Sequence, residues 1–175
     1  MTLLEKEAVK RVGAVINKFD SNLEVTVLNS SARTALEAAS SLGCDVGAIV
    51  KSLLFKTDNK FTLFLVAGDK KASLKKIKKN INFLDVSMAS AEEVKEITGY
   101  TIGGVSPVGH LKDINIYIDN SLDRFPFLFA AAGHPNCIFK ISFLNLKKIT
   151  NGKIEDIIEW KNQSYLIIYY LYYWL

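Results

Sequence analysis

Ile49-Val50-Lys51-Ser52-Leu53-Leu54-Phe55-Lys56, then Thr57-Asp58-Asn59-Lys60, then Phe61-Thr62-Leu63-Phe64-Leu65-Val66, is the stretch whose reading decides the fold. Two short apolar runs flank four polar residues that suit a tight turn, which predicts a β-hairpin. Lys51 is the charged residue that opens the first run. A lysine at a strand edge is ordinarily a solvated gatekeeper against edge-to-edge pairing.

Outward on the N-terminal side, Thr2 and Glu5 have the spacing of a capping box, and Val9, Val12, Ile16 and Phe19 follow at helical spacing. Lys10, Arg11 and Lys18 fall on the opposite side, so this reads as an amphipathic surface helix. Leu23 to Leu28 alternates apolar and polar and predicts a strand with one wet face. Ser31 to Leu42 reads as a second helix, capped by Thr34 with Glu37 and stopped by Gly43.

Outward on the other side, Gly68-Asp69 leads into a predicted helix carrying Lys70, Lys71, Lys75, Lys76, Lys78 and Lys79. Helical spacing puts Lys71, Lys75, Lys78 and Lys79 on one face and Leu74, Ile77 and Ile81 on another. A charge run is ordinarily a solvated face. Six like charges in ten residues also repel one another, and a polyanion relieves that repulsion. Ser90 with Glu93 caps a helix from Ala91 to Thr98, which Gly99 ends. Ile114 to Asp119, Phe127 to Ala132 and Cys137 to Ser142 read as strands, and Phe143 to Ile149 as a short helix. Strands and helices mixed at this spacing mean a mixed α/β (α+β) domain.

A chain of 175 residues has room for one domain with a sizeable core, expected over 1–160. The tail at 161–175 is apolar and rich in tyrosine, too short to span a bilayer as a helix, and carries no function on its face. A net charge of +4, from 22 Lys and Arg against 18 Asp and Glu, leaves any nucleic-acid partner to local clustering. Cys44 and Cys137 lie far apart and the N-terminus has no secretory pattern, which points to a reduced, cytosolic setting. His110 and His134 are the only histidines, and no Cys, His or carboxylate cluster has metal-ligand spacing. His134 and Cys137 lack a neighbouring orienting carboxylate, which argues against a thiol nucleophile.

One loop remains, Thr98-Gly99-Tyr100-Thr101-Ile102-Gly103-Gly104-Val105-Ser106-Pro107-Val108-Gly109-His110. Four of its thirteen residues are glycine, and Gly103-Gly104 is followed by neither a P-loop nor a dinucleotide fingerprint. Its equipment is main-chain N–H and C=O. A structural connection between a helix and a strand is the ordinary reading of such a loop.

Taken together, Val50-Lys51-Ser52-Leu53-Leu54-Phe55, Val66-Ala67-Gly68-Asp69-Lys70, the Gly103-x-x-x-Pro107 motif and Ala131-Ala132-Gly133 resemble the YbaK/EbsC family of aminoacyl-tRNA deacylases. That family is related to the editing domain of bacterial prolyl-tRNA synthetases. The resemblance runs in order from roughly residue 5 to residue 157. It implies a curved, partly closed mixed sheet with helices around it, and hydrolysis of the ester of a mischarged tRNA without metal or cofactor. Its catalytic groups would be Lys51, Gly103 and Gly104, with Lys51 gripping the phosphate or ribose of the acceptor end. Ser52, Val105, Ser106, Pro107, Ala131, Gly133 and His134 would bind the substrate. Lys70, Lys71, Lys75, Lys78 and Lys79 would hold the tRNA, and prolyl-tRNA synthetase is a candidate partner. Ala131 stands where cysteinyl-tRNA(Pro) deacylases have serine, and Lys51-Ser52 with His134-Pro135 match the alanyl-specific pattern in part, so a small amino acid on tRNA(Pro) is the expected cargo. A binding module for the tRNA end or an aminoacyl-adenylate, without turnover, would use the same pocket. A small-ester hydrolase that takes no nucleic acid is a third reading, against which the lysines argue.

Overall fold

The computed structural model describes residues 2–29 and 32–159, so the tail at 161–175 lies outside the described residues. In chain order the elements are α1 (Glu7–Phe19), β1 (Thr26–Val27), α2 (Ala35–Leu42), β2 (Ile49–Thr57), β3 (Lys60–Ala67), β4 (Lys71–Ala72) and α3 (Leu74–Ile81). There follow β5 (Val86–Met88), α4 (Ala91–Thr98), β6 (Asn115–Asp119), β7 (Leu128–Ala131), β8 (Cys137–Ile141), α5 (Phe143–Thr150), β9 (Lys153–Glu155) and β10 (Ile158–Glu159).

The expected hairpin is the spine of the sheet. β2 and β3 pair antiparallel from Val50↔Ala67 down to Thr57↔Lys60, around the two-residue turn Asp58-Asn59. Asp58 sits at φ 54°, and its carboxylate accepts the N–H groups of Leu84 (3.0 Å) and Asp85 (2.9 Å), which ties the turn to the entry of β5. The curved mixed sheet then runs β1-β8-β7-β2-β3-β6-β9. β7 joins β2 in parallel, β6 joins β3 in parallel, and β9 joins β6 in parallel.

One edge of β2 is shared by two strands. β7 takes its first residues, Ile49 and Val50, and β5 takes its last, Phe55 to Thr57. Between them the edge has no strand partner among the described residues. A closing pair in a two-residue hairpin exchanges both hydrogen bonds, so alternate residues Lys51, Leu53, Phe55 and Thr57 turn their peptide groups to β3. Leu54 turns outward, where its carbonyl accepts the Ala89 N–H (3.1 Å). By the same alternation, the N–H and C=O of Ser52 face the gap.

Each sheet face has its own core. Val50, Leu54, Leu63 and Leu65 pack against Val9, Val12 and Ile16 of α1, Val94 and Ile97 of α4 and Leu146 of α5. Phe55, Phe64 and Val66 meet Ile77 of α3, Tyr117 and Ile157 on the other. There Phe64 stacks on Tyr117 at 5.7 Å and takes Phe55 edge-on at 5.4 Å. α2 covers a third cluster, in which Ala38 and Ala39 meet Ile49 and Ile138.

Two of the three expected capping boxes start α-helices. Thr34 and Glu37 cap α2, Ser90 and Glu93 cap α4, and Gly43 and Gly99 end them in the left-handed region. The third, Thr2 with Glu5, belongs to a separate 3-10 turn (Leu3–Glu5), because Lys6 is extended and α1 starts only at Glu7. The strand expected from Leu23 to Leu28 shrinks to Thr26–Val27. The lysine helix starts later than expected. Ser73 caps it, so Lys70 and Lys71 precede α3, and Lys71 stands in β4 paired with β10. Leu74, expected on the apolar face, is 44% exposed, which leaves Ile77 as the buried anchor.

Asp119, fully buried at the end of β6, fastens the far side of the sheet. One carboxylate oxygen accepts the Ser121 N–H (2.9 Å) and the other the Ile157 N–H (3.0 Å). Asp119→Ala leaves two buried donors unpaired, at about 1–3 kcal/mol each. The expected result is a melting temperature roughly 5–15 °C lower by thermal denaturation, with a smaller loss for Asp119→Asn. An unchanged melting curve would show that the carboxylate does not hold these segments.

Candidate functional site

A cavity of about 390 Å³ opens along the outer edge of β2 between β7 and β5. Its floor is β2 itself, from Ile49 to Leu54. The residues before and within α2 (Ala32, Arg33, Thr34, Ala35, Ala38) form one wall, and Met88, Ala89 and Val94 form another. Ile102, Gly103 and Val105 of the glycine-rich loop, with Phe129, Ala131, Pro135 and Ile138, complete it. The lining is mostly aliphatic and, among the described residues, holds no cysteine, histidine or carboxylate. Ile102 and Met88 stand 66% and 61% exposed at its edge.

The structure thus brings Lys51, Ser52, Gly103, Val105 and Ala131 together around one space. Lys51 is half-buried, and its ammonium donates to the Lys70 carbonyl. Burial lowers its pKa; the Asp69 carboxylate pulls the other way, and the charge of Lys71 adds to the lowering. Asp69 is itself gripped by both Arg124 nitrogens (2.7 and 3.1 Å), and Arg124 is anchored on the Ser121 carbonyl (2.7 Å). Burial would raise the Asp69 carboxyl, but Arg124 and Lys70 more than offset it and hold it below its ordinary value. Ser52 Oγ is buried with no hydrogen-bond partner among the described residues.

The loop's main chain divides its labour. Gly104 N–H donates to the Thr101 carbonyl (2.9 Å), closing a turn in which Gly103 takes φ 88°. Neither the Gly103 nor the Val105 N–H has an acceptor among the described residues. Gly104 does not line the cavity. A Cβ there would lie 2.8 Å from the His134 Cα, so its lack of a side chain lets the loop dock on the 133–136 turn. Gly133, at φ 84°, likewise lets that turn rest on α1, since a Cβ would lie 2.6 Å from the Ala8 carbonyl. Ser106 and Pro107 are buried behind the wall, and Ser106 Oγ accepts the Val108 N–H (3.4 Å). His134 also lies outside the lining, with Nδ1 accepting the Asn136 N–H (3.2 Å). Cys137 is fully buried, and burial raises its thiol pKa. Among the described residues, no three His, Cys, Asp or Glu side chains converge where a metal ion could be held.

Sequence reasoning missed Arg11. It was placed on the solvated side of α1, yet its Nε donates to the Gly109 carbonyl (2.6 Å) and its guanidinium lies 4.8 Å from the centre of the Tyr100 ring. Tyr100, fully buried, has its hydroxyl 2.8 Å from the Val108 carbonyl and 2.7 Å from that of Gly109. His110 Nε2–H donates to the Ser106 carbonyl (2.8 Å). These contacts tie the end of the loop, from Ser106 to Gly109, to α1, Tyr100 and His110. The aliphatic lining was missed as well, because alanine, isoleucine and phenylalanine carry no chemical signature in a sequence.

No helix among the described residues is long and apolar enough to cross a membrane. The profile of the family described as "Aminoacyl-tRNA editing domain" matches residues 29–149. The uncharacterised protein YwhH of Bacillus subtilis (strain 168) is 32% identical over 148 residues, 84% of this chain and 94% of YwhH. The proline–tRNA ligase of Caldicellulosiruptor bescii is 32% identical over 143 residues, 82% of this chain but 24% of the ligase. A crystal structure described as that of a candidate trans-editing enzyme for prolyl tRNA synthetase superposes with a TM-score of 0.83 at 36% identity, over 89% of this chain and 99% of that one.

Two outcomes follow from the loop. Gly104→Ala pushes a methyl into the His134 backbone, so thermal stability and any activity of the cavity should fall together; loss of activity at full stability would move Gly104 into the chemistry. Burial holds the pKa of His110 down, with the charge of Arg11 adding to it and the Ser106 carbonyl opposing. The unfolded chain therefore takes up this proton first, and stability is lost as the pH falls below about 6.5 towards the lowered folded value. His134, lowered chiefly by burial, adds to the same loss. His110→Gln removes its share, so its melting temperature should drop less between pH 7 and pH 5 than that of the parent. An equal drop would assign the acid sensitivity elsewhere.

Proposed function

The chain belongs to the aminoacyl-tRNA editing domain family, as a YbaK/EbsC-like member related to the editing domain of prolyl-tRNA synthetases, and from that premise we propose that it hydrolyses the ester joining a small amino acid to the 3′ end of mischarged tRNA(Pro). The observation that carries this reading is the cavity: mostly aliphatic walls, the Lys51 and Arg33 side chains, main-chain N–H groups without acceptors, and, among the described residues, no lining cysteine for covalent catalysis and no histidine or carboxylate for general-base work. An aminoacyl ester is already activated, so a site need only hold it, seat water and stabilise the oxyanion.

In this reading the aminoacyl group enters the aliphatic cavity and the terminal ribose stays at the mouth. Water attacks the ester carbon, and the N–H groups of Gly103 and Val105 receive the developing oxyanion. The bond to the ribose oxygen then breaks, that oxygen takes up a proton, and the free amino acid leaves. The neighbouring ribose hydroxyl or a second water carries the proton. Lys51 grips the phosphate or ribose of the terminal nucleotide. Ser52, with its unpartnered hydroxyl and gap-facing peptide groups, orients the polar end of the amino acid.

The test is a steady-state deacylation assay on a panel of mischarged tRNAs, with melting curves alongside. Small aminoacyl groups on tRNA(Pro) should be released and prolyl-tRNA(Pro) spared. Lys51→Met loses a charge-assisted bond worth about 1.5–3 kcal/mol, or roughly ten- to two-hundredfold in kcat/KM. Its melting temperature should hold, since burial already penalises the ammonium. Lys51→Arg should rescue only in part, because a planar fork replaces a compact donor. Cys137→Ser and Ser106→Ala should keep most of the rate. Full activity in Lys51→Met would displace the site, a thousandfold loss in Cys137→Ser would mean a covalent mechanism, and tRNA binding without release would leave a binding module.

A further inference from the structure

The lysines around α3 do not all have the same standing. Lys76 is committed to Asp156, with contacts of 2.7 and 2.8 Å, and Lys70 lies 3.4 Å from Asp69. Lys75, Lys78 and Lys79 are exposed and have no ion pair among the described residues. Lys71 is exposed too, opposite Glu159 in the β4–β10 ladder, without an ion pair to it. Of the acids near this face, Asp156 is engaged by Lys76 and Asp69 by Arg124 and Lys70, while Glu159 faces only Lys71.

Their placement relative to the cavity is the second observation. The Lys51 ammonium, in the cavity wall, is bonded to the carbonyl of Lys70. From that point the chain passes through Lys71 and the short β4, turns at the Ser73 cap, and enters α3. α3 has eight residues, about 12 Å of helix, and Lys75, Lys78 and Lys79 succeed one another along it. The Lys51–Lys70 bond thus joins the cavity to the segment that carries Lys71 and then the lysines of α3.

We propose that Lys71, Lys75, Lys78 and Lys79 form a phosphate track that holds the RNA strand as it leaves the cavity, so that the ester end is seated at Lys51 and the strand runs out along α3. This rests on the deacylase reading for the identity of the strand, and on charge complementarity for the surface. Repulsion among unpaired lysines on one short helix is relieved by a polyanion, and each phosphate neutralised releases counterions, which gives binding a steep dependence on salt.

The experiment measures binding of unacylated tRNA by fluorescence anisotropy across a salt series. The proteins are the parent chain, a Lys75→Gln, Lys78→Gln, Lys79→Gln triple variant, the same three positions as arginine, and a control in which the exposed Lys18, Lys147 and Lys148 become Gln. The α3 triple should bind about tenfold more weakly or worse, with a log–log salt slope flatter by roughly 2, since each single-strand phosphate contact contributes about 0.7. The arginine triple should bind like the parent, and the control should keep the parent's slope. Parent-like binding by the α3 triple, an equal loss in the control, or no salt-dependent binding by the parent overturns the track. Should the parent bind with this profile yet release no amino acid from any mischarged tRNA, the track stands and the deacylase reading falls.

Discussion

A β-strand has two edges, and the architecture follows from how β2 shares one of them. β3 occupies the inner edge along eight residue pairs. The outer edge is divided between β7, which runs parallel to it, and β5, which runs antiparallel. Peptide groups left between two such partners are costly unless something polar reaches them. An open cavity is one answer to that demand. Its floor is the unpaired stretch of β2, and its walls are the segments that β5, β7 and α2 bring with them.

The walls are tied down from outside the cavity. Tyr100, Arg11 and His110 hold the carbonyls of the glycine-rich loop, and glycines at 104 and 133 let three backbone segments touch where any side chain would part them. Asp69 and Arg124 do for Lys51 what these residues do for the loop. An ion pair this exposed adds about 0–1 kcal/mol to stability. Its greater effect is positional, because it fixes the segment whose carbonyl receives the Lys51 ammonium.

Much of this was legible in the sequence, for physical reasons that differ by element. The hairpin announced itself because two apolar runs around Asp58-Asn59 have few other solutions, and α2 and α4 because capping boxes and terminal glycines are local chemistry. β5, β9 and β10 were invisible: two or three residues each, they exist only through their pairing partners. The start of α3 was misjudged because helical spacing says nothing about where a serine cap will cut it. At the site, Lys51 and Gly103 stood out as a charge in an apolar run and a glycine in a motif. Arg11 did not, since its partners are carbonyls 87 and 98 positions away, which no local pattern encodes.

α1 carries a consequence in time. The family profile begins at residue 29, yet the helix before it grips the loop at Gly109 through Arg11 and seats the 133–136 turn against Ala8. As the chain leaves a ribosome, α1 is made before its two docking surfaces, which follow it by about a hundred and more residues. Closing so long a loop is slow relative to local folding and is rewarded only at the end. The cavity is thus among the later parts to become complete, whereas the strands that cover the apolar face of α1, β2 and β3, are made well before it.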